Sequence, residues 1–414
     1  MLATFRRRDF ALLWTAGLIS VAGDSALFIA LPLHAYALTG SAVATGGVFA
    51  ATLIPRVLLG SVVGVFVDRW DRKWTMVGAD LLQALLLLPL LAVVSADLLW
   101  LLYAVRAVSG GVGLFFGPAE NALLPRLVGE ERLVTANALN ALNNNLGRLL
   151  GPAVGGLVYA AGGLPAVVVA DAVTFLASAG LIAAIRTPAR PERAAAVASG
   201  RSAWGRMVGE WREGMGLIRG NRILSTVMLS FALGFVAEGT FEVGFAPLVI
   251  DVLRGGAWGA GLLLSAQAVG GLLAGATVAR AANRVDAHRF FGWGLIGMGV
   301  ADGGMANAAN LAPPGVAAVG VGLGFMFLAG FPWVALNAGG TGLLQAGTAD
   351  ALRGRVFGAR EAIGAASVLV GLGVGGPLVD AVGAVPVLSA GAAMWIVGGV
   401  FALVRLRPEV APAG

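Results

Sequence analysis

The sequence predicts an all-α membrane protein with twelve transmembrane helices in two pseudo-symmetric six-helix bundles. The first observation is composition: 58% of the 414 residues are hydrophobic and 12% are charged, whereas soluble domains carry about 25% charged residues. The second is that the apolar residues form runs close to or above the ~20 residues that span a bilayer. The third is that the two halves of the chain repeat one another. The 63 glycines fit close helix packing in lipid.

Twelve apolar runs define the predicted helices in order. Their approximate bounds are 10–36, 42–67, 74–96, 98–122, 140–162, 164–186, 223–250, 257–281, 289–311, 315–345, 359–382 and 385–405. The first run is too long for the apolar part of a signal peptide, so we expect it to remain as a helix. Because the number of runs is even, both termini lie on the same side of the membrane.

The basic residues predict which side that is. Most of the 28 lysines and arginines fall in segments on the same side as the termini, and Arg254 is the one basic residue in an opposite loop. The positive-inside rule therefore predicts cytoplasmic termini, in the cytoplasmic (inner) membrane of a bacterium. The net charge of +6 then reflects membrane orientation, and we expect no nucleic-acid partner.

A segment rich in proline, alanine and arginine, 187–203, separates the two halves. Apolar residues from Trp204 to Ile218 recur at helical spacing among charged ones, which predicts an amphipathic helix on the membrane surface. We therefore predict an N-terminal bundle, a linker with this surface helix, and a C-terminal bundle, with the bounds 1–186, 187–222 and 223–414. The repeat is visible where the stretch 151–156 recurs at 371–376.

One charged stretch lies between the second and third apolar runs, and it predicts a tight cytoplasmic loop. Its gating candidates are Gly64, Asp68, Arg69, Arg72 and Lys73. This stretch resembles the loop signature Gly-x-x-x-Asp-Arg-x-Gly-Arg-Arg/Lys of the major facilitator superfamily, with Asp71 in place of the second glycine.

The fifth run carries a second motif, which resembles the antiporter signature of the same family. Its residues are Gly147, Gly151, Pro152, Gly155 and Gly156. Arg106-x-x-x-Gly110 on the fourth run resembles the conserved-arginine motif of that group. Finer resemblance is to the branch that contains the enterobactin exporter and the macrolide-efflux proteins, carried by short matches from Phe5-Arg6 to Leu352-Arg-Gly-Arg355.

The resemblance implies a central cavity lined by helices 1, 4, 7 and 10. It places the proton-coupling candidates Asp24, Glu238 and Glu242 there, with Arg106, Asn337, Phe28, Phe115, Phe241 and Phe331 as substrate-cavity candidates. A carboxylate in that cavity can take up a proton from one side and release it to the other. The alternative for an acid is a structural pairing with an intramembrane arginine, for example Asp24 with Arg56 or Arg106. The alternative for the aromatic candidates is packing against other helices or contact with lipid.

Acids on the sixth and ninth runs, Asp171 and Asp302, are expected to lie peripherally and to bond between helices. In the gating stretch, we expect Asp68 to accept hydrogen bonds from the N-terminus of the eleventh helix. Such a contact can exist only when the cytoplasmic side is closed, and the basic residues of the stretch would then brace that state by pairing with acids such as Glu130, Glu131 or Glu361. The alternatives are a plain positive-inside anchor for this loop and simple helix packing for the glycines of the fifth run.

Enzymatic activity is not expected, because the sequence has no phosphate-binding Gly-x-x-x-x-Gly-Lys-Ser/Thr and no plausible Ser/His/Asp set. With no cysteine and two histidines, His34 and His288, we expect no metal site and no cofactor. The sequence predicts a secondary active transporter, working as a monomer in the lipid bilayer, that exports amphipathic or apolar drug-like molecules in exchange for protons. The alternatives are a siderophore exporter or a lysophospholipid flippase of the same fold, and a non-transporting receptor or scrambler.

Overall fold

The computed structural model describes residues 2–67, 69–188, 203–281 and 285–406, and within these ranges the chain is helical without strands. The helices of the first half are α1 (Arg8–Thr39), α2 (Ala42–Val67), α3 (Arg72–Leu87), α4 in two parts (Leu99–Gly113 and Phe116–Val128), and the run Leu133–Ala183, which holds α5 and α6. Asp68 and residues 189–202 of the predicted linker lie outside the described residues.

The second half begins with the helix Ala203–Gly220, which we call the linker helix. It is followed by α7 (Arg222–Pro247), α8 (Gly256–Ala281), α9 (Ala287–Ala306), α10 (Val316–Ala346), α11 (Arg353–Val382) and α12 (Ala384–Arg405).

Gly163 divides the run Leu133–Ala183 into α5 and α6. Its backbone has φ 64° and ψ −162°, which is not helical. Glycine alone adopts this region without strain, because it has no Cβ. The break falls between the two predicted runs 140–162 and 164–186, so the sequence located this turn correctly.

Ten segments of the described chain are long and apolar enough to cross a membrane. One of them, Glu130–Ala183, contains both α5 and α6, and α9 is a further helix of 20 residues. The described chain therefore has twelve helices of membrane-spanning length, as predicted. Leu85, Trp100 and Val173 are 61%, 62% and 57% exposed on these helices, as expected for side chains that face lipid.

One compact unit comprises α1–α6 and the beginning of α8, Gly256–Ser265. Within this unit α1 makes its most extensive contacts with the run that holds α5 and α6. Two apolar cores surround α1. One includes the fully buried Leu27 and Leu31, and the other is built around Phe10, Leu13 and Met76.

The second unit comprises the linker helix, α7, the rest of α8, and α9–α12. Phe231, Phe291 and Trp395 pack in its core. α9 lies against both α10 and α12, and α7 lies against both α11 and α12.

The linker helix packs onto the second unit through its C-terminal half. Ile218 is 4% exposed and joins the core of that unit. Glu213 Oε2 accepts a charge-assisted bond of 2.6 Å from Arg355 Nη1 at the beginning of α11. The predicted surface helix is therefore also attached to protein, while the side chains of its first residues, 203–208, lie outside those described. The predicted domain bounds stay a prediction.

Candidate functional site

An intramembrane charge cluster forms in the first unit around Asp24 on α1. The charge of Arg106 on α4 acts on this carboxylate. Arg106 acts on Asp171 of α6 as well, and its Nε donates to Thr52 Oγ1 over 3.2 Å. Of the two arginines considered for Asp24, the structure therefore brings Arg106 to it.

Asp171 belongs to this cluster, although its place on the sixth run predicted a peripheral position. A Cβ added to Gly23 would overlap Asp171 Oδ1, so the carboxylate lies directly beside the backbone of α1. Its hydrogen bond is local to α6, where Thr174 Oγ1 donates to Oδ1 over 2.9 Å. The expectation of a bond between helices was therefore wrong for this residue.

The helix-to-helix bond is found instead at Asp80 on α3, which sequence reasoning did not single out. Ser178 Oγ on α6 donates to Asp80 Oδ2 over 2.6 Å, and both residues are buried. Glu120 on α4 was missed in the same way, and its Oε1 accepts from Asn140 Nδ2 of α5 over 3.0 Å. An acid within an apolar run is the signal that could have identified both.

A second acidic cluster lies in the second unit. Glu238 and Glu242 are one turn apart on α7 and half-buried, and their charges act on each other. Asp302 on α9 is 4% exposed, and the charge of Glu238 acts on it. The expectation that Asp302 lies peripherally and bonds between helices stays a prediction.

Asn337 is held by two neighbours in the second unit. Its Nδ2 donates to Trp333 O over 2.9 Å, and its Oδ1 accepts from Arg360 Nη2 over 3.3 Å. The Arg360 guanidinium lies 4.5 Å from the centroid of the Phe231 ring, a cation–π arrangement. Arg360 on α11 is thus a further polar residue beside the predicted cavity residue.

The aromatic candidates lie in separate ring pairs. Phe115 stacks on Trp70 in the loop before α3, with ring centroids 5.7 Å apart and an interplanar angle of 11°. The other pairs are Phe28 with Phe49, Phe241 with Phe245, and Phe331 with Phe327. Phe28 is 43% exposed, so part of its ring is free of protein contact.

In the gating loop, Asp71 and Lys73 bind backbone groups. Asp71 Oδ1 accepts from Trp74 N over 3.2 Å and caps the N-terminus of α3. Lys73 Nζ donates to Ile185 O over 2.7 Å, after the C-terminus of α6. Glu361, one of the acids expected to pair with this loop, pairs with Arg360 at 2.8 Å. Lys73 therefore binds a backbone carbonyl, whereas the predicted partners were the carboxylates of Glu130, Glu131 or Glu361.

The glycine motif of α5 makes close contacts with two helices in the first unit. Cβ atoms added at Gly147, Gly151 and Gly155 would overlap residues of α1, between Val21 and Ala26. A Cβ on Gly156 would lie 3.1 Å from Gly261 Cα, at the beginning of α8. Pro152 is within the helix, and its carbonyl also lies against Gly261. The predicted packing seam is present in this arrangement.

The model of the Major Facilitator Superfamily matches residues 13–372, which is most of the chain. The chain belongs to the major facilitator superfamily. The resemblance inferred from its motifs is therefore confirmed, and this member of the family is a multi-pass membrane protein.

Relatives of this major facilitator superfamily member include macrolide efflux protein A of Streptococcus pyogenes, which is 25% identical over 59% of this chain and 60% of the relative. The alignment thus spans less than two thirds of that relative. The uncharacterized MFS-type transporter Mb0038c of Mycobacterium bovis is 27% identical over 86% of this chain and 81% of its own.

Solved structures resemble this protein in fold. A bacterial homologue of the iron transporter ferroportin has a TM-score of 0.74 at 18% identity, covering 97% of this chain and 99% of its own. The nucleoside transporter NupG has a TM-score of 0.77 at 14% identity, covering 97% of this chain and 100% of its own. At these identities the likeness concerns the fold alone.

Proposed function

We propose that this transporter exports amphipathic or apolar small molecules in exchange for protons, through alternating access of its membrane site. The observation that carries the proposal is the pair Glu238 and Glu242, half-buried on α7 without a basic group acting on either among the described residues. An uncompensated charge inside a membrane is costly, and binding a proton removes that cost. A carboxylate of this kind is suited to carry protons.

The first unit supports a division of roles. Asp24 has Arg106 as an opposite charge, so its cluster can keep a charge without proton uptake. We assign Glu238 and Glu242 the larger part in proton coupling and Asp24 a part that depends on Arg106. The half-exposed ring of Phe28 and the aromatic pairs of α7 and α10 provide apolar surface for a ligand.

Export is favoured over import because macrolide efflux protein A is among the relatives. We further propose that the protein is a monomer in the bacterial inner membrane, with both termini in the cytoplasm, and that it uses no cofactor. A pH gradient of one unit supplies about 1.4 kcal/mol per proton, which supports a roughly tenfold substrate gradient.

Efflux from cells tests the proposal. Cells that express the protein are loaded with macrolides, lipophilic cations or siderophores, and export is followed before and after a protonophore is added. We expect export of an apolar or amphipathic compound that stops with the protonophore, and that is lost in Glu238→Gln. Asp97→Asn, which changes an exposed acid between α3 and α4, is the matched control and should export normally.

The alternatives predict other outcomes of the same assay. Export confined to siderophores would identify a siderophore exporter, and movement confined to lysophospholipids would identify a flippase. A receptor or scrambler would show no response to the protonophore, and that result would contradict the proposed function.

A further inference from the structure

A cavity of about 320 Å³ lies in the second unit, between the linker helix and the turn that joins α10 to α11. Its lining residues lie near the ends of helices or in turns, so the cavity is at the membrane surface, on the side that the basic residues predict to be cytoplasmic. Its volume is at the lower limit of the roughly 300–1,000 Å³ typical of ligand sites, which suits a ligand group the size of a lipid headgroup. The lining residues used below are Gly216, Leu217, Gly220, Asn221, Leu224 and Thr348.

The wall of the cavity is mainly apolar but contains two polar side chains. Thr348 is 8% exposed, and its Oγ1 has no hydrogen-bond partner among the described residues. Asn221 Nδ2 reaches Gly347 O only over 3.5 Å, which is long for a hydrogen bond. A buried polar group without a partner costs free energy. A ligand that brings oxygen atoms into the cavity lowers that cost.

The charged residues beside the cavity leave a positive rim. Arg219 and Arg222 are exposed, and each adjoins a residue of the lining in sequence. The acids nearest to the lining along the chain, Asp350 and Glu213, are each paired with another arginine, at 2.5 and 2.6 Å. The rim therefore attracts an anion, and arginine is well suited to bind phosphate.

The linker helix is held in place beside the cavity. A Cβ added to Gly214 would lie 2.8 Å from Arg355 O at the beginning of α11, and Ile218 is part of the core of the unit. A Cβ added to Gly216 or Gly220, by contrast, meets no atom within 4 Å. The linker helix is thus packed tightly on one face, while two glycines keep the space at the cavity open.

We propose that this cavity binds the headgroup of an anionic phospholipid from the inner leaflet. The phosphate lies at the rim beside Arg219, and the glycerol and ester oxygens accept from Thr348 Oγ1 and Asn221 Nδ2. The first methylene groups of the lipid chains pack on Leu217 and Leu224. A lipid fits better than a free anion, because the wall is mainly apolar and the bilayer surface adjoins the cavity.

The bound lipid joins the linker helix to the turn before α11, so it fastens that helix to the second unit. The site is separate from the acids assigned to proton coupling. The inference therefore goes beyond the proposed antiport and shares with it only the predicted orientation of the chain.

The test is lipid binding to the purified full-length protein in a neutral detergent, measured by native mass spectrometry and by the unfolding temperature. We expect phosphatidylglycerol to bind about tenfold more tightly than phosphatidylcholine, the worth of one charge-assisted hydrogen bond, and to raise the unfolding temperature. Gly216→Leu places a side chain in the cavity and should abolish both effects. Gly209→Leu, on the same helix but outside the lining, is the matched control and should retain them.

Two further variants keep the test decisive if Gly216→Leu does not fold. Thr348→Val removes the hydroxyl and keeps the shape, so it should weaken phosphatidylglycerol binding about fivefold. It should not lower the unfolding temperature of the lipid-free protein, because the hydroxyl has no partner there. Arg219→Gln should weaken phosphatidylglycerol binding and leave phosphatidylcholine binding unchanged, whereas Arg212→Gln, two turns earlier on the same helix, should alter neither.

Three results would overturn the lipid site: equal binding of the two lipids, phosphatidylglycerol binding that survives Gly216→Leu in a folded protein, or displacement of the lipid by inorganic phosphate alone. The last result would indicate a site for free anions. None of them bears on proton-driven export, which the efflux assay tests separately.

Discussion

Asp71 illustrates how one side chain can define a membrane loop. It occupies the position where the family signature has a glycine, yet its φ is −68° and its ψ is 116°. Any residue adopts this conformation, so the turn does not need glycine. The carboxylate caps α3 through Trp74 N, and the aspartate therefore adds a helix cap to the signature.

We predict that Asp71→Ala destabilises the protein by about 1 kcal/mol, the usual cost of losing an N-cap. Asp71→Asn retains a side-chain oxygen that can accept the same bond, so it should cost clearly less. Thermal unfolding in detergent is the measurement, followed by intrinsic tryptophan fluorescence. Equal losses in the two variants would show that the cap does not stabilise α3.

The residues of the candidate site could be predicted from sequence only in part. Asp24, Glu238 and Glu242 stand out because an acid in an apolar run is expensive. Their partners could not be deduced, because the partner depends on how each helix is rotated about its axis. Asp171 shows this directly: the sequence places it on α6, but only the packing of α6 against α1 brings its carboxylate beside Gly23.

Close helix contacts through glycine recur in both units. In the first unit α5 lies against α1 at Gly151 and Gly155, and in the second α11 lies against α7 at Gly371 and Gly239. The stretches 151–156 and 371–376 are the same repeat in sequence. The repeat therefore preserves a helix contact, which small residues allow because backbones can approach.

Gly371→Ala should destabilise the second unit, because its Cβ would overlap Val236 O of α7 and force the helices apart. Overpacking of this kind costs about 2 kcal/mol. Gly373→Ala is the matched control on the same helix, since a Cβ there meets no atom within 4 Å. Its unfolding temperature should stay unchanged or rise, because alanine favours helix. A similar loss in both variants would argue against the contact.

At the scale of the whole molecule, composition and hydropathy were sufficient to predict the fold. Twelve apolar runs correspond to twelve helices, and the break at Gly163 falls where the sequence placed a turn. The bilayer makes this prediction easy, because each spanning segment must satisfy its own backbone hydrogen bonds. The attachment of the linker helix to α11 was missed, since it depends on the tertiary contact between Glu213 and Arg355.

The orientation of the chain can be tested with single cysteines, because the protein has none of its own. Ala96→Cys, between α3 and α4, should react with a membrane-impermeant maleimide added to intact cells. Ala349→Cys, between α10 and α11, should react only after the cells are opened. Both positions are exposed, so accessibility depends on the side of the membrane. The reverse labelling pattern would contradict cytoplasmic termini.

The central claim is that proton uptake by the acids of the second unit drives export. Its most direct test is substrate movement in proteoliposomes with an imposed pH gradient, which separates the protein from all other pumps. We expect the wild type to accumulate a lipophilic cation, macrolide or siderophore against its gradient, to stop when the pH gradient is collapsed, and to lose this movement in Glu238→Gln. Gradient-driven movement that persists in Glu238→Gln, or no gradient-dependent movement of any compound by the folded wild type, would contradict the account.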